Sequence, residues 1–173
     1  MANTYSLITS ITVGSGGAST VDFTSIPQTY TDLMLVMSMR TDRSSVSDYA
    51  AVSFNSSTSS FSLLTATGSG TAVSAASYTS SPDSRIVGQV VGNTSTASIF
   101  SSGYLYIPNY ASSNNKSYSW DATRENNTAG AELSFGAGLW SNTAAITSIA
   151  ITSWGGATFL QYSSASLYGI KNS

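Results

Sequence analysis

The stretch Asp32-Leu33-Met34-Leu35-Val36-Met37-Ser38-Met39-Arg40 is the strongest constraint on what this chain can become. Leu33, Leu35, Met37 and Met39 recur at a period of two, and Met34, Val36 and Ser38 fill the opposite face. A strand with one face in water alternates apolar with polar, so a strand apolar on both faces reads as central and covered twice. Nowhere does a capped stripe of period 3.6 appear. Period two returns at Tyr5–Val13, at Ala97–Pro108, at Lys116–Ala122, where Tyr118, Trp120 and Ala122 alternate with Ser117, Ser119 and Asp121, and at Glu132–Trp140. Turn residues such as Gly14–Gly17, Asn55–Ser57 and Gly92–Thr94 separate these runs. Ten to twelve short strands with turns every eight to twelve residues predict an all-β chain. The expected architecture is an antiparallel β-sandwich, jelly-roll-like, in one domain over 1–173.

Local features refine the expectation. Gly14-Ser15-Gly16-Gly17 predicts a hairpin joining Tyr5–Val13 to Thr20–Phe23. Gly136 and Gly138 predict a bulge in their strand. Gly68–Ser84, made of Gly, Ser, Thr and Ala with Tyr78 and Pro82, reads as a long surface loop with one weak strand around Ala72. The terminal strands, Tyr5–Val13 and Thr158–Lys171, are expected to lie together, as chain ends in domains often do. In a sandwich, Met34 and Val36 need a second cover, either the Gly68–Ser84 segment or another subunit.

Composition narrows function by exclusion. The chain has no His and no Cys, so Ser-His-Asp and Cys-His nucleophiles, disulfides and zinc sites built on those ligands are out of reach. Six Lys and Arg, dispersed at positions 40, 43, 85, 116, 124 and 171, form no basic patch, so no nucleic acid is expected as partner. No apolar run is long enough to cross a membrane and no secretory signal opens the chain, so synthesis in a cytoplasm is expected. No cofactor and no catalytic or metal site is expected. Two acidic pairs are candidates beside the simpler reading of solvated loops: Asp121 with Glu132, flanking a turn, as a glycosidase pair, and Asp42 with Asp48 as calcium ligands. The second has a simpler reading, pairing with Arg43 across the turn. Asn-x-Ser/Thr sequons begin at Asn55, Asn93, Asn115 and Asn126, a number expected by chance where Ser and Thr make up about a third of the chain.

Charged residues are only 8% of the chain. A soluble surface usually carries many more. Such a surface, rich in hydroxyls and poor in charge, suits packing against neighbours in an assembly. Tyr30, Tyr110, Trp140 and Trp154 fall at predicted strand ends or in loops. Exposed Tyr and Trp anchor interfaces or stack on glycans; the same residues also pack at the rim of a core. With Met34 and Val36 they make up the expected interface set.

Three segments carry a resemblance: Asp22–Leu33 (DFTSIPQTYTDL), Gly138–Ile149 (GLWSNTAAITSI) and Ser166–Lys171 (SLYGIK), supported by Tyr104–Tyr110 (YLYIPNY) and Asn114–Ser117 (NNKS). Together they resemble small virion structural proteins of tailed bacteriophages, especially phages of aquatic bacteria. The resemblance implies a virion location, with assembly following synthesis in the host bacterial cytoplasm. It carries no catalytic residue with it, and no enzyme is expected. The expected role is a head decoration, or cement, protein on the outside of the capsid. Its partners would be the major capsid protein and further copies of itself, with a homotrimer favoured. The alternative is a tail-fibre or receptor-binding module for host surface glycans. The expected strands run from about Tyr5 to about Ile170, leaving no room for a shaft, which favours decoration.

Overall fold

The structure is a computed structural model that describes residues 4–125 and 130–171. It is built of β1 (Tyr5–Thr12), β2 (Thr20–Phe23), β3 (Asp32–Ser38), β4 (Ser47–Phe54), β5 (Phe61–Ser69), β6 (Ala72–Thr79), β7 (Ile86–Val91), β8 (Ser102–Ile107), β9 (Lys116–Arg124), β10 (Glu132–Trp140), β11 (Ile149–Ser153) and β12 (Ser164–Ile170). A 3₁₀ turn at Pro82–Arg85 is the one helical element among the described residues. An eight-stranded sheet runs β1-β12-β3-β8-β9-β10-β5-β6, and a four-stranded sheet runs β2-β11-β4-β7. All pairings between strands are antiparallel.

The pairings nest. β1 pairs with β12, β2 with β11, β3 with β8 and β4 with β7. This is one long antiparallel hairpin folded back on itself. Rolling it up adds the pairs β12–β3 and β11–β4 and closes a jelly roll. The two remaining hairpins are insertions. β5–β6 lies between β4 and β7 in sequence, β9–β10 between β8 and β11, and both join one sheet beyond β8. They double its width.

β3 sits between β12 and β8, so the Asp32–Arg40 stretch is central, as its two apolar faces predict. Leu33 and Leu35 are fully buried and Met37 nearly so, against the four-stranded sheet. Burying three such side chains contributes roughly 1.5–3 kcal/mol each. The terminal strands pair as expected, Tyr5 opposite Ile170 and Thr12 opposite Ser164.

Several expectations change. The Gly14–Gly17 turn does not make a hairpin. β1 and β2 belong to different sheets, and the turn is a corner where the chain crosses from one layer to the other. Residues 97–101 do not extend β8. They form a loop whose Ile99 carbonyl, with those of Asn93, Ser95 and Thr96 upstream, accepts from the buried side chain of Arg40. Gly68–Ser84 is not a surface loop. It contains the end of β5, a tight turn at Gly70 and all of β6, in unbroken register from Ser69↔Ala72 to Ser62↔Thr79. That hairpin lies at the far edge of the sheet, so it does not cover β3.

Gly136 and Gly138 mark no bulge either, because β10 keeps register with both neighbours. Gly136 lies opposite Trp120 and Gly138 opposite Tyr118. A Cβ on Gly138 would stand 2.1 Å from the Tyr118 ring, and one on Gly136 2.7 Å from the indole. The glycines are flat beds across which the aromatic rings lie, the pairing by which aromatics rescue strand glycines. Gly169 gives Tyr30 the same bed.

Candidate functional site

Two surfaces of the wide sheet stand out, one on each side. Following one register row across it shows why. On the inner side the row reads Leu167, Leu35, Leu105, Trp120, then Gly136, Thr65 and Ala76. It is apolar under the four-stranded sheet and turns small and hydroxylated beyond it. The next row, Ala122, Ser134, Thr67 and Ser74, does the same. The inserted half of the sheet therefore overhangs. β7, the edge of the smaller sheet, forms the wall of a trough of about 410 Å³.

The outer side reads differently. One row runs Leu7, Tyr168, Met34, Tyr106, Ser119, Ala137 and Leu64. Its neighbour runs Ser166, Val36, Tyr104, Asp121, Phe135 and Ala66. Of the large apolar side chains most exposed to solvent, Tyr5, Leu7, Val36, Leu64, Val73, Tyr104, Leu133 and Phe135 belong to this face. Leu64 is 61% exposed, Phe135 55% and Val36 46%, too far out to count as core. Nothing in the described chain lies over them.

Charge is nearly absent from the outer face. Lys116, Arg124 and Glu132 turn inward with the buried positions of β9 and β10. The two remaining acids of the sheet are each bonded by a tyrosine of β8. Tyr106 Oη donates to Asp32 Oδ2 at 2.8 Å, and the Asn109 amide donates to Asp32 Oδ1 at 2.8 Å. Tyr104 is hydrogen-bonded to Asp121, which raises its pKa. The bond to Asp32, with burial, pushes Tyr106 up to about 12 from 10.0.

Burial also raises the phenols of Tyr118, Tyr110 and Tyr49. A phenol whose folded pKa lies above its unfolded value adds stability that is whole below pH 10 and is lost as pH rises through the folded value. Lys116 and Arg85, lowered by burial, act with the opposite sign, two groups against five. The urea midpoint is therefore expected to fall steeply between pH 10 and pH 12, and Tyr106→Phe should flatten part of that fall. A midpoint unchanged up to pH 12 would contradict this.

The six expected interface residues separate. Val36 and Met34 lie on the open outer face, Val36 exposed and Met34 half-buried. Trp154 is 40% exposed at the rim of the trough, edge-on to Tyr49 with centroids 6.4 Å apart. Arg43 lies 5.9 Å from the Trp154 ring centre. Tyr30 is half-buried on the Gly169 bed.

Tyr110 and Trp140 are corrected, because both are core. Tyr110 is fully buried, its hydroxyl donating to the Pro27 carbonyl. Trp140 is 1% exposed in a cluster with Phe54, Phe61 and Tyr118, at centroid distances of 5.6 to 6.4 Å. Strand ends are exposed only where no other layer reaches them, and sequence does not show where the second layer stops.

The acidic pairs come apart as well. Asp121 points outward and Glu132 inward, on opposite faces of the sheet, so they cannot flank one bond. Glu132 instead accepts from Arg124 Nε at 3.2 Å, and Gln89 Oε1 accepts from the same nitrogen at 3.1 Å. Asp48 is buried and its oxygens accept from Arg43, its own neighbour's amide and Ser153, while Asp42 accepts from the Thr158 amide. These are donors, the reverse of what faces a cation's ligands, and the Arg43–Asp48 pair at 3.0 Å is the turn pairing expected. Asn55 is a clamp: Oδ1 accepts from the Thr147 and Ser148 amides and Nδ2 donates to the Ala145 carbonyl. The sequon at Asn126 lies outside the described residues.

Fold and surfaces define the class, an all-β jelly roll widened by two inserted hairpins, with one open sheet face and one trough. Comparison with protein-family models, with curated proteins and with solved structures finds no match for the chain. No helix among the described residues is long and apolar enough to cross a membrane.

Proposed function

We propose that this protein is a virion structural subunit, a decoration protein that lays the outer face of its eight-stranded sheet on the capsid lattice of a tailed phage. The observation that carries the reading is that face, where exposed Leu7, Val36, Leu64, Leu133 and Phe135 share one surface with Tyr104 and two tyrosine-bonded acids, buried Asp32 and half-buried Asp121. A free monomer rarely leaves so many apolar side chains together on one face. Since the β5–β6 hairpin does not cover Val36, a partner is the remaining cover. The resemblance of Asp22–Leu33, Gly138–Ile149 and Ser166–Lys171 to phage virion proteins supplies the kind of partner.

Cementing is multivalent binding, in which many modest contacts on a fixed lattice add up to firm attachment. A face with almost no charge makes such contacts insensitive to salt. The test is incorporation. Purified virions are expected to carry hundreds of copies spread over the head, seen by quantitative mass spectrometry and by antibody labelling in the electron microscope. The double variant Leu64→Lys/Phe135→Lys is expected to fold and to lose head binding. A few copies confined to the tail, or full incorporation of the double variant, would overturn the reading. Light scattering of the purified chain reads whether the expected trimer forms before docking.

A further inference from the structure

We propose that the trough between the overhanging sheet and β7 is a binding site for a neutral glycan chain, independent of the docking face. Its floor is the inner side of β10, β5 and β6, with Ser134, Thr65 and Thr67 where a fully covered sheet would carry apolar side chains. Hydroxyls at such positions are stable because water or a polar ligand meets them.

Its rim is aromatic. Trp154 stands at the mouth, Tyr49 is edge-on to it, and Tyr78 lies across from them on β6. Aromatic rings with a polar tip fit ligands that are apolar on one side and hydrogen-bonding on the other. A pyranose ring has this character: its C–H face stacks on the ring while its edge hydroxyls reach the Ser, Thr and carboxylate oxygens. The volume, about 410 Å³, falls within the roughly 300–1,000 Å³ of small-ligand sites.

Charge selects the class within glycans. Glu132 is paired with Arg124, and Arg43 at the rim is paired with Asp48. Asp83 lines the same trough and belongs to neither pair. With its cations neutralised and one acid in excess, the trough has nothing to hold sulfates, phosphates or uronates, and a neutral sugar has no charge to repel.

The test titrates the full chain with neutral hexasaccharides of glucose, mannose, galactose and N-acetylglucosamine, by calorimetry and tryptophan fluorescence. Trp140 is buried in the core, so a fluorescence change reports Trp154 at the rim together with Trp120, which lines the trough, and Trp154→Ala separates the two. Saturable binding of at least one neutral hexasaccharide is expected, weakened at least tenfold by Trp154→Ala and by Tyr78→Ala, and unchanged by Tyr162→Ala, at a residue that lies near the β12 end of the Trp154 connection and lines a separate depression. Three results would overturn it: no binding to any of the four, binding that survives both trough variants, or tighter binding of a sulfated hexasaccharide or single-stranded DNA. None depends on head incorporation, so the two proposals fail separately.

Discussion

Replacing Trp140 with alanine is expected to destabilise the fold by about 3–5 kcal/mol, the cost of removing a large buried aromatic and leaving its cavity. For a chain of this length that lowers the melting temperature by roughly 6–20 °C. The effect is large because of what the ring joins. Phe54 comes from the four-stranded sheet, while Phe61, Tyr118 and Trp140 come from β5, β9 and β10. Trp140 stacks on Phe61 at 6.2 Å and meets Phe54 edge-on at 5.6 Å. The cluster is the point at which both inserted hairpins are tied to the roll. Trp154→Ala, at a 40% exposed position, should change stability by no more than about 0.5 kcal/mol. Chemical denaturation of both variants checks the pair. Equal losses would mean that the aromatic cluster is not what holds the insertions.

Arg40→Leu is the second large loss, about 3–5 kcal/mol, comparable to breaking a buried ion pair. The Arg40 side chain follows β3 into the interior and is 6% exposed. Its two terminal nitrogens donate to four carbonyls, Thr96 at 2.7 Å and Ile99 at 3.1 Å from one, Ser95 at 2.9 Å and Asn93 at 3.2 Å from the other. Leucine fills much of the volume but leaves those oxygens without donors. A planar fork serves four acceptors from two nitrogens, and a lysine ammonium has only one, so Arg40→Lys should recover a minor part of the loss. Hydrogen exchange over residues 92–101 should quicken in both variants before the sheets open. A variant with wild-type stability would show that the loop holds itself.

Much of the fold was legible because a strand writes its two faces into alternate residues. Leu33, Leu35 and Met37 marked the inner face of β3, and Tyr118, Trp120 and Ala122 that of β9, without any tertiary knowledge. In Gly68–Ser84 the weak strand expected around Ala72 is where β6 begins, but its full length and its pairing with β5 were not legible, because small Ser, Thr and Ala residues alternate too weakly and neither face of β6 is deeply buried. The Gly14–Gly17 turn looked like a hairpin because local sequence shows that a chain turns, not which partner it meets next. Of the six expected interface residues, Val36 and Trp154 are exposed, Met34 and Tyr30 are half-buried, and Tyr110 and Trp140 went to the core. Aromatic character is visible in sequence; the layer that covers an aromatic is not.

By itself the sequence determined the class of element, the centrality of Asp32–Arg40 and the scarcity of charge, because alternation and composition are local quantities. Tertiary structure alone decided that the inserted hairpins join one sheet beyond β8. That placement depends on pairings between strands far apart in the chain. It leaves Val36 uncovered on one side of the wide sheet and opens a hydroxyl-lined trough on the other. The stretch that constrains the chain most is thus covered once from within, while Val36 on its other face stays exposed.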